Sequence, residues 1–244
     1  MNIVWAILFA ILAVAPCLCT TVVVLWTPTG TVLGADAKIN FGNGKPAGTA
    51  CKIGVSKSIL WAQTGLRGVR GSPNVIPNIL TKELNSSGAL DLRISRAESR
   101  IHAAMLSLFN LPLIKPAVLA HPEKNQVQFV VIAFEHGVTR MVVRSFAPRK
   151  GASGKVEIDI IPDNCPDAPN CGSSQYEGLG YHDEADKIVK NDPTLWNRNP
   201  KDTIEYLIGT EIKAHADDVG PPVSIVGIDA LGVHWLSKGA CTDK

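Results

Sequence analysis

Little in this chain points to a charged partner. Its 244 residues carry a formal net charge of only +2, which argues against a broad basic surface for nucleic acid. No run of like charges makes a basic arm or an acidic tail. Internal repeats and low-complexity tracts are absent. No Gly-rich phosphate loop follows a strand-like segment, and Gly-x-Ser-x-Gly does not occur. Those two absences remove the common nucleotide-binding and α/β-hydrolase readings. No linker divides the chain, so one domain is expected after the leader.

Apolar runs are also short. "IVWAILFAILAVA" (Ile3 to Ala15) is uncharged but falls below the roughly 20 residues of a membrane span. Its length suits the core of a secretory signal, with "PCLC" supplying small residues at a cut. Lys and Arg are missing ahead of it, so only the terminal amine is positive there. A lipoprotein signal at Cys17 fits poorly with Pro16 before it, and a buried first strand or helix is the plain alternative. The expectation is a cleaved signal over residues 1–19 and an exported domain over 20–244, secreted or extracytoplasmic and without a stable membrane anchor.

Of the six cysteines, Cys51, Cys165, Cys171 and Cys241 then remain. An even count in an exported chain suggests two disulfides. Cys165 and Cys171 bracket the turn "PDAPN" and form the natural local pair, which would leave Cys51 with Cys241. Three connectivities remain open. Asn85-Ser86-Ser87 is a glycosylation sequon.

The order of elements bounds the fold. "TVVVLW" (Thr21 to Trp26) is β-branched and reads as a buried strand. "TPTG" turns the chain, and "TVLGADAK" returns as a hairpin. "ACKIGV" and "SILWAQTG" read as a second strand pair. Helices are predicted at "IPNILTKEL" and at "RAESRIHAAMLSLFNL", where Ile101, Met105 and Leu108 share one face. "QVQFVVIAFE", "TRMVVRSFA" and "KVEIDIIP" are strands, and Asp163 to Gly178 reads as loop. Helices follow at "DEADKIVK" and "KDTIEYLIGTEIKAHA", then strands at "PVSIVGID" and "VHWLSK". Segregated runs of strands and helices point to an α+β layer structure.

Thr20 would lead the mature chain if the cut falls after Cys19. A threonine hydroxyl is a poor nucleophile without a base. At a chain's first position it carries its own base, the α-amine, whose reference pKa is about 7.7–8.0. Nucleophile and base then form one residue. A nearby cation favours the neutral amine, a carboxylate holds that cation, and backbone N–H groups stabilise an oxyanion.

"TTVVVLWTPTGTVLGADAK" resembles the opening of proteasome β-type subunits, members of the N-terminal nucleophile hydrolase superfamily. Counted without a gap from Thr20, Gly30 matches the family's turn glycine, Asp36 its active-site aspartate and Lys52 its catalytic lysine, followed by an apolar Ile53. "WAQTGLRG" resembles the strand leading to the oxyanion-hole glycine, with Gly65 the best match after one residue is dropped. "YEGLGYHDEADKIV" resembles the Gly-Ser-Gly segment and its helix through Gly178 and Gly180. "ADDVGPPVSIVGIDALGVHWL" resembles the closing turn and hairpin, with Gly220 matching a glycine.

The departures are specific. Leu179 stands where the family has the serine that supports the amine. The supporting aspartate falls on Ala216, with Asp217 one place late, and a further serine falls on Val219. The resemblance implies a four-layer αββα sandwich with two antiparallel sheets. It also implies a threonine hydrolase that cleaves a peptide or amide bond without cofactor or metal. Thr20 attacks, Lys52 and Asp36 assist, the Gly65 N–H serves the oxyanion and Asp217 substitutes in the amine's surroundings. The alternative is an exported domain that keeps the fold, has lost catalysis and binds a partner. Oligomeric state is open.

Six histidines invite a metal reading, with "YHDE" (181–184) and "HADD" (215–218) the best clusters. Neither His-x-x-x-His nor Cys-x-x-Cys occurs, so surface roles are expected. Arg67 and Arg70 read as a surface loop, Trp61 and Trp235 as packing residues, and the charges from Lys82 to Glu98 as a solvated helix face.

Overall fold

The computed structural model describes residues 20–40, 46–56, 58–65, 75–167 and 171–241. The expected signal over 1–19 and the Arg67–Arg70 segment lie outside these residues. Strand β1 (Thr21–Thr27) turns into β2 (Gly30–Ala35), and a short ribbon follows from β3 (Lys38–Asn40) and β4 (Pro46–Thr49). β5 (Ile53–Ser56) and β6 (Ile59–Gly65) precede helices α1 (Ile76–Leu84), α2 (Leu90–Phe109) and α3 (Lys115–Ala120). Three long strands come next, β7 (Val127–Glu135), β8 (Val138–Lys150) and β9 (Val156–Cys165). β10 (Gln175–Gly180), α4 (Asp183–Asn191), α5 (Pro200–Ala214), β11 (Ser224–Asp229) and β12 (Gly232–Ser237) complete the order.

Two five-stranded antiparallel sheets result, one ordered β10-β1-β2-β11-β12 and the other β5-β6-β7-β8-β9. The side-chain period of two explains their stacking. Val22, Val24 and Trp26 of β1 meet Leu60, Ala62, Val130 and Ile132 of the second sheet in a shared core. The intervening Val23 and Leu25 point the other way, onto Ile204, Leu207 and Ile208 of α5. β1 is therefore apolar on both faces, which is why it reads as a continuous run and not an alternating one. On the far side, Trp61, Phe129, Val131 and Phe146 pack against Ile79, Leu80, Ile94, Ile101 and Met105 of α1 and α2. The packing order is helix, sheet, sheet, helix.

Three differences from the sequence reading have local causes. The returning hairpin strand stops at Ala35, not Lys38, because Asp36 turns inward and its neighbours Ala37 and Lys38 donate to the Gly220 carbonyl. Gln175 to Gly178, the end of the segment read as loop, belong to edge strand β10, held by its register from Thr21↔Gly180 to Trp26↔Gln175. The charges of α1 and α2 are not only a solvated face: Glu83 is buried and pairs with Arg100 and Arg96, and Glu98 accepts from Arg144 of β8 at 2.8 Å.

Among the described residues the disulfides are Cys165–Cys171 and Cys51–Cys241. The second joins the segment before β5, in one sheet, to the segment after β12, in the other. In the loop-entropy account, closing a loop of 190 residues stabilises by about 5 kcal/mol and a loop of 6 by about 2 kcal/mol. Replacing Cys51 and Cys241 together by Ser is therefore expected to lower the unfolding free energy about twice as much as replacing Cys165 and Cys171. Urea denaturation of both double variants checks the order; equal losses would contradict it.

Candidate active site

Antiparallel pairing gathers the candidate residues at one end of the sandwich. Thr20 precedes β1. The end of β2 lies beside it, so Asp36 follows at the same edge. β10 also ends there, at Gly180, and β11 starts there, just after Gly220. In the opposite sheet Lys52 precedes β5 and Gly65 closes β6, again at one end because these two strands are antiparallel. The sheets meet here: a Cβ on Gly180 would lie 3.3 Å from the Thr64 Cβ of β6.

Asp36 is the organising residue. Its side chain has 0% exposure and that of Lys52 3%. Oδ1 accepts from the Lys52 ammonium at 2.7 Å and from the Thr21 N–H at 2.9 Å. Oδ2 accepts from the Lys38 N–H at 3.1 Å and the Gly220 N–H at 3.2 Å. Four donors thus replace the water that burial removes, which is what a buried carboxylate requires. One carboxylate oxygen touches both the ammonium and the peptide joining Thr20 to Thr21. That places the Lys52 charge beside Thr20, which is itself only 6% exposed.

The other side of Thr20 is held by the end of β10. The Thr20 carbonyl accepts from the Tyr181 N–H at 3.0 Å, and the Thr21 hydroxyl donates to the Tyr181 carbonyl at 2.8 Å. Gly180 has φ +76, and a Cβ there would lie 1.9 Å from the Thr20 carbonyl oxygen. Only glycine permits both that backbone and that approach. Its N–H donates to Gln128 Oε1 at 2.9 Å, a contact across the two sheets. Gly65 has φ +80, with the Gln126 carbonyl 2.2 Å from where a Cβ would stand.

The departures seen in the sequence have clear positions. Leu179 is fully buried in the core between the sheets, so an apolar side chain stands where the family resemblance has a hydroxyl. Val219 is buried and Ala216 exposed. Asp217 is exposed, and its carbonyl accepts from Asn40 Nδ2 at 2.8 Å. The neighbouring Asp218 turns inward instead: its Oδ2 accepts from the Tyr181 hydroxyl at 2.9 Å. Burial, aided by that Asp218 contact, pushes the Tyr181 phenol up to about 12. Gln128, Tyr181 and Asp218 are the residues that sequence reasoning missed. Tyr181 and Asp218 sit inside the two segments noted for their histidines, whereas Gln128 looks like any polar position on a strand.

Beside this wall, the Tyr181 ring stacks on His215 with centroids 4.3 Å apart and planes at 24°. His215 Nε2 lies 3.1 Å from Asp183 Oδ1 and 3.5 Å from Glu211 Oε2. Burial raises the Glu211 carboxyl, against the lowering effect of its bond from the Ala185 N–H. For Asp183 burial also opposes the charge, but hydrogen bonding to His215 and to its own backbone outweighs it and the net direction is down.

The Lys52–Asp36 pair sets an expectation for stability. Asp36→Asn keeps the shape but leaves a buried ammonium without its counter-charge, a loss of about 3–5 kcal/mol. Adding Lys52→Met should recover most of it, because an apolar side chain tolerates the same burial. Urea unfolding of wild type, Asp36→Asn and the double variant measures both; a single variant within 1 kcal/mol of wild type, a limit set at roughly the value of an exposed ion pair, would show that the pair is not truly desolvated.

No protein-family model matches this sequence, and no curated protein matches it. Solved structures do. The (Gly-1) mutant of Anbu from Hyphomicrobium sp. strain MC1 aligns with TM-score 0.56 and 14% identity, covering 92% of this chain and 89% of that one. A second structure, of Anbu from the same strain, aligns with TM-score 0.52 and 12% identity over 89% and 87% of the two chains. Anbu is a bacterial proteasome-like protein of N-terminal nucleophile hydrolase fold. The fold of this chain, as expected from the resemblance that begins at Thr20, is that proteasome-like fold.

Proposed function

We propose that this protein is an exported N-terminal threonine hydrolase that cleaves a peptide or amide bond through an acyl-enzyme. Removal of residues 1–19 frees the Thr20 amine. Thr20 Oγ1 attacks the substrate carbonyl carbon and its proton passes to that amine, directly or through a water. The C–N bond then breaks, the leaving amine takes the proton, and an ester to Thr20 remains. Water adds to the ester with the same amine as base, releasing the acid and restoring the hydroxyl. Lys52 keeps the amine neutral by like-charge repulsion and stabilises developing alkoxide. Asp36 holds Lys52, and the Gly65 N–H serves the oxyanion. Neither a metal nor an organic cofactor enters these steps, and the two disulfides are compatible with an extracytoplasmic setting.

One observation carries this reading: a buried ammonium and carboxylate, 2.7 Å apart, share Oδ1 with the N–H next to Thr20. A fold in need of stability alone gains little from such a pair, since apolar residues of like volume often do as well. The second reading, a binding module of the same fold, is favoured by the buried Leu179 and the exposed Asp217. Neither of these two residues supplies the hydroxyl or the carboxylate that the family resemblance leads one to expect at the amine.

A threonine-directed β-lactone or epoxyketone separates the two. The hydrolase reading expects one adduct per chain, on Thr20, by peptide mass spectrometry. Thr20→Ala abolishes it, and Lys52→Ala slows it by about 100-fold or more, the scale of losing one preorganised electrostatic group. Labelling should rise with pH through an amine pKa below the reference of about 7.7–8.0, because the nearby ammonium disfavours the protonated form. Absence of labelling, or labelling that survives Thr20→Ala, favours the binding module.

A further inference from the structure

The geometry points to a site for one divalent transition cation of the Zn²⁺ class, held by Asp183 Oδ1, Glu211 Oε2 and His215 Nε2, with solvent completing the coordination. His215 caps the end of α5 one turn after Glu211, its N–H donating to the Glu211 carbonyl, so the two side chains lie close together. Asp183 opens α4 opposite them. The three ligand atoms all lie within 4.8 Å of one another. His215 Nε2 stands 3.1 Å from Asp183 Oδ1 and 3.5 Å from Glu211 Oε2. A tetrahedral zinc with bonds of about 2.0–2.1 Å has ligand–ligand edges of about 3.3 Å, between those two values.

The second observation is the state of Glu211. Its side chain is fully buried. Oε1 accepts from the Ala185 N–H at 2.6 Å and so caps α4. Oε2 is equally buried and, among the described residues, accepts no hydrogen bond of good geometry; it faces His215 Nε2 at 3.5 Å. The Ala185 N–H reaches only the first oxygen, while the Glu184 N–H at the same helix end also favours the charged carboxyl. An imidazole N–H does not explain the second, because Nε2 carries at most one proton and Asp183 Oδ1 is nearer to it. A buried carboxylate oxygen short of well-aligned donors is costly, and a cation facing it lowers that cost. Two carboxylates with a neutral imidazole balance a dication. One nitrogen among oxygens suits Zn²⁺ better than Mg²⁺ or Ca²⁺, which take all-oxygen sets. The open side supplies entry and water: the Asp183 side chain is 59% exposed and that of His215 26%.

The sequence signal is Glu211-x-x-x-His215 with Asp183 far upstream, which the usual His-His and Cys-Cys spacings do not include. The site also adjoins the wall of Thr20. His215 stacks on Tyr181, whose N–H and carbonyl bond Thr20 and Thr21. An ion that fixes the imidazole therefore fixes the segment behind the proposed nucleophile. Only this last consequence rests on the hydrolase reading; binding of the ion does not.

The test is titration of the purified, chelator-treated chain with Co²⁺, followed by its visible d–d bands, with Zn²⁺ as competitor. The expectation is saturable binding at one ion per chain with the intense bands of four-coordinate Co²⁺, displaced by Zn²⁺. Asp183→Asn and His215→Ala should each weaken it by at least about 100-fold, beyond the 10–100-fold typical of losing an outer partner. Both positions are partly exposed, so these variants leave the core intact. Thr20→Ala should bind as wild type does, which separates failure of this site from failure of the catalytic reading. Absence of saturable binding, or binding that either ligand variant leaves unchanged, overturns the proposal.

Discussion

The contact between Lys52 and Asp36 crosses from one sheet to the other. Asp36 follows the last residue of β2, and Lys52 precedes the first residue of β5. Their side chains are almost wholly removed from water, so each charge is tolerable only because the other is present and because three backbone N–H groups complete the carboxylate's bonds. This condition fixes much around it. The strand must leave its ladder at Asp36, the turn before β11 must bring the Gly220 N–H to Oδ2, and β1 must begin where the Thr21 N–H meets Oδ1. Cys51, next to Lys52, is tied to Cys241 beyond β12, so a covalent link and an ionic link fasten neighbouring residues of one segment to the opposite sheet.

Around this centre the surroundings of Thr20 are less polar than the family resemblance implies. Leu179 fills core volume between the sheets, and Val219 is buried near the Gly220 turn. The polar groups that remain near Thr20 come chiefly from the end of β10 and the loop after it. The Tyr181 backbone bonds Thr20 and Thr21, its hydroxyl reaches Asp218, and its ring lies on His215. The shell that positions residue 20 is thus a continuous path from Thr20 through Tyr181 to the Asp183–Glu211–His215 cluster, built on the ends of α4 and α5. In the proposed chemistry this path takes over the orienting work of the missing serine.

Several features were readable in the residues because they answer to local rules. β1 and β6 announce themselves by β-branched and apolar runs, and α2 by the spacing of Ile101, Met105 and Leu108. The local cystine follows from its turn. The register of Thr20, Asp36, Gly30 and Lys52 carried the fold over only 33 residues. What escaped depends on partners distant in sequence. β10 contains two glycines and a glutamate and becomes a strand only because β1 offers an open edge. Glu83 looks solvated until Arg100 and Arg96 close over it. Gln128 gains meaning only when β10 crosses to meet β7. The choice of Asp218 over Asp217 turns on which carboxylate the last turn after α5 directs inward, a matter of backbone geometry that composition does not encode.

The catalytic reading depends on residue 20 becoming a chain terminus, since only then do nucleophile and base coincide in one side chain and its own nitrogen. Intact mass together with N-terminal sequencing of the protein purified from its native host tests this directly. The hydrolase reading requires a chain that begins at Thr20 with an unblocked amine. A chain that begins later than Thr20, retains residues ahead of it, or carries a blocked amine would contradict that reading, and the fold would then serve binding alone.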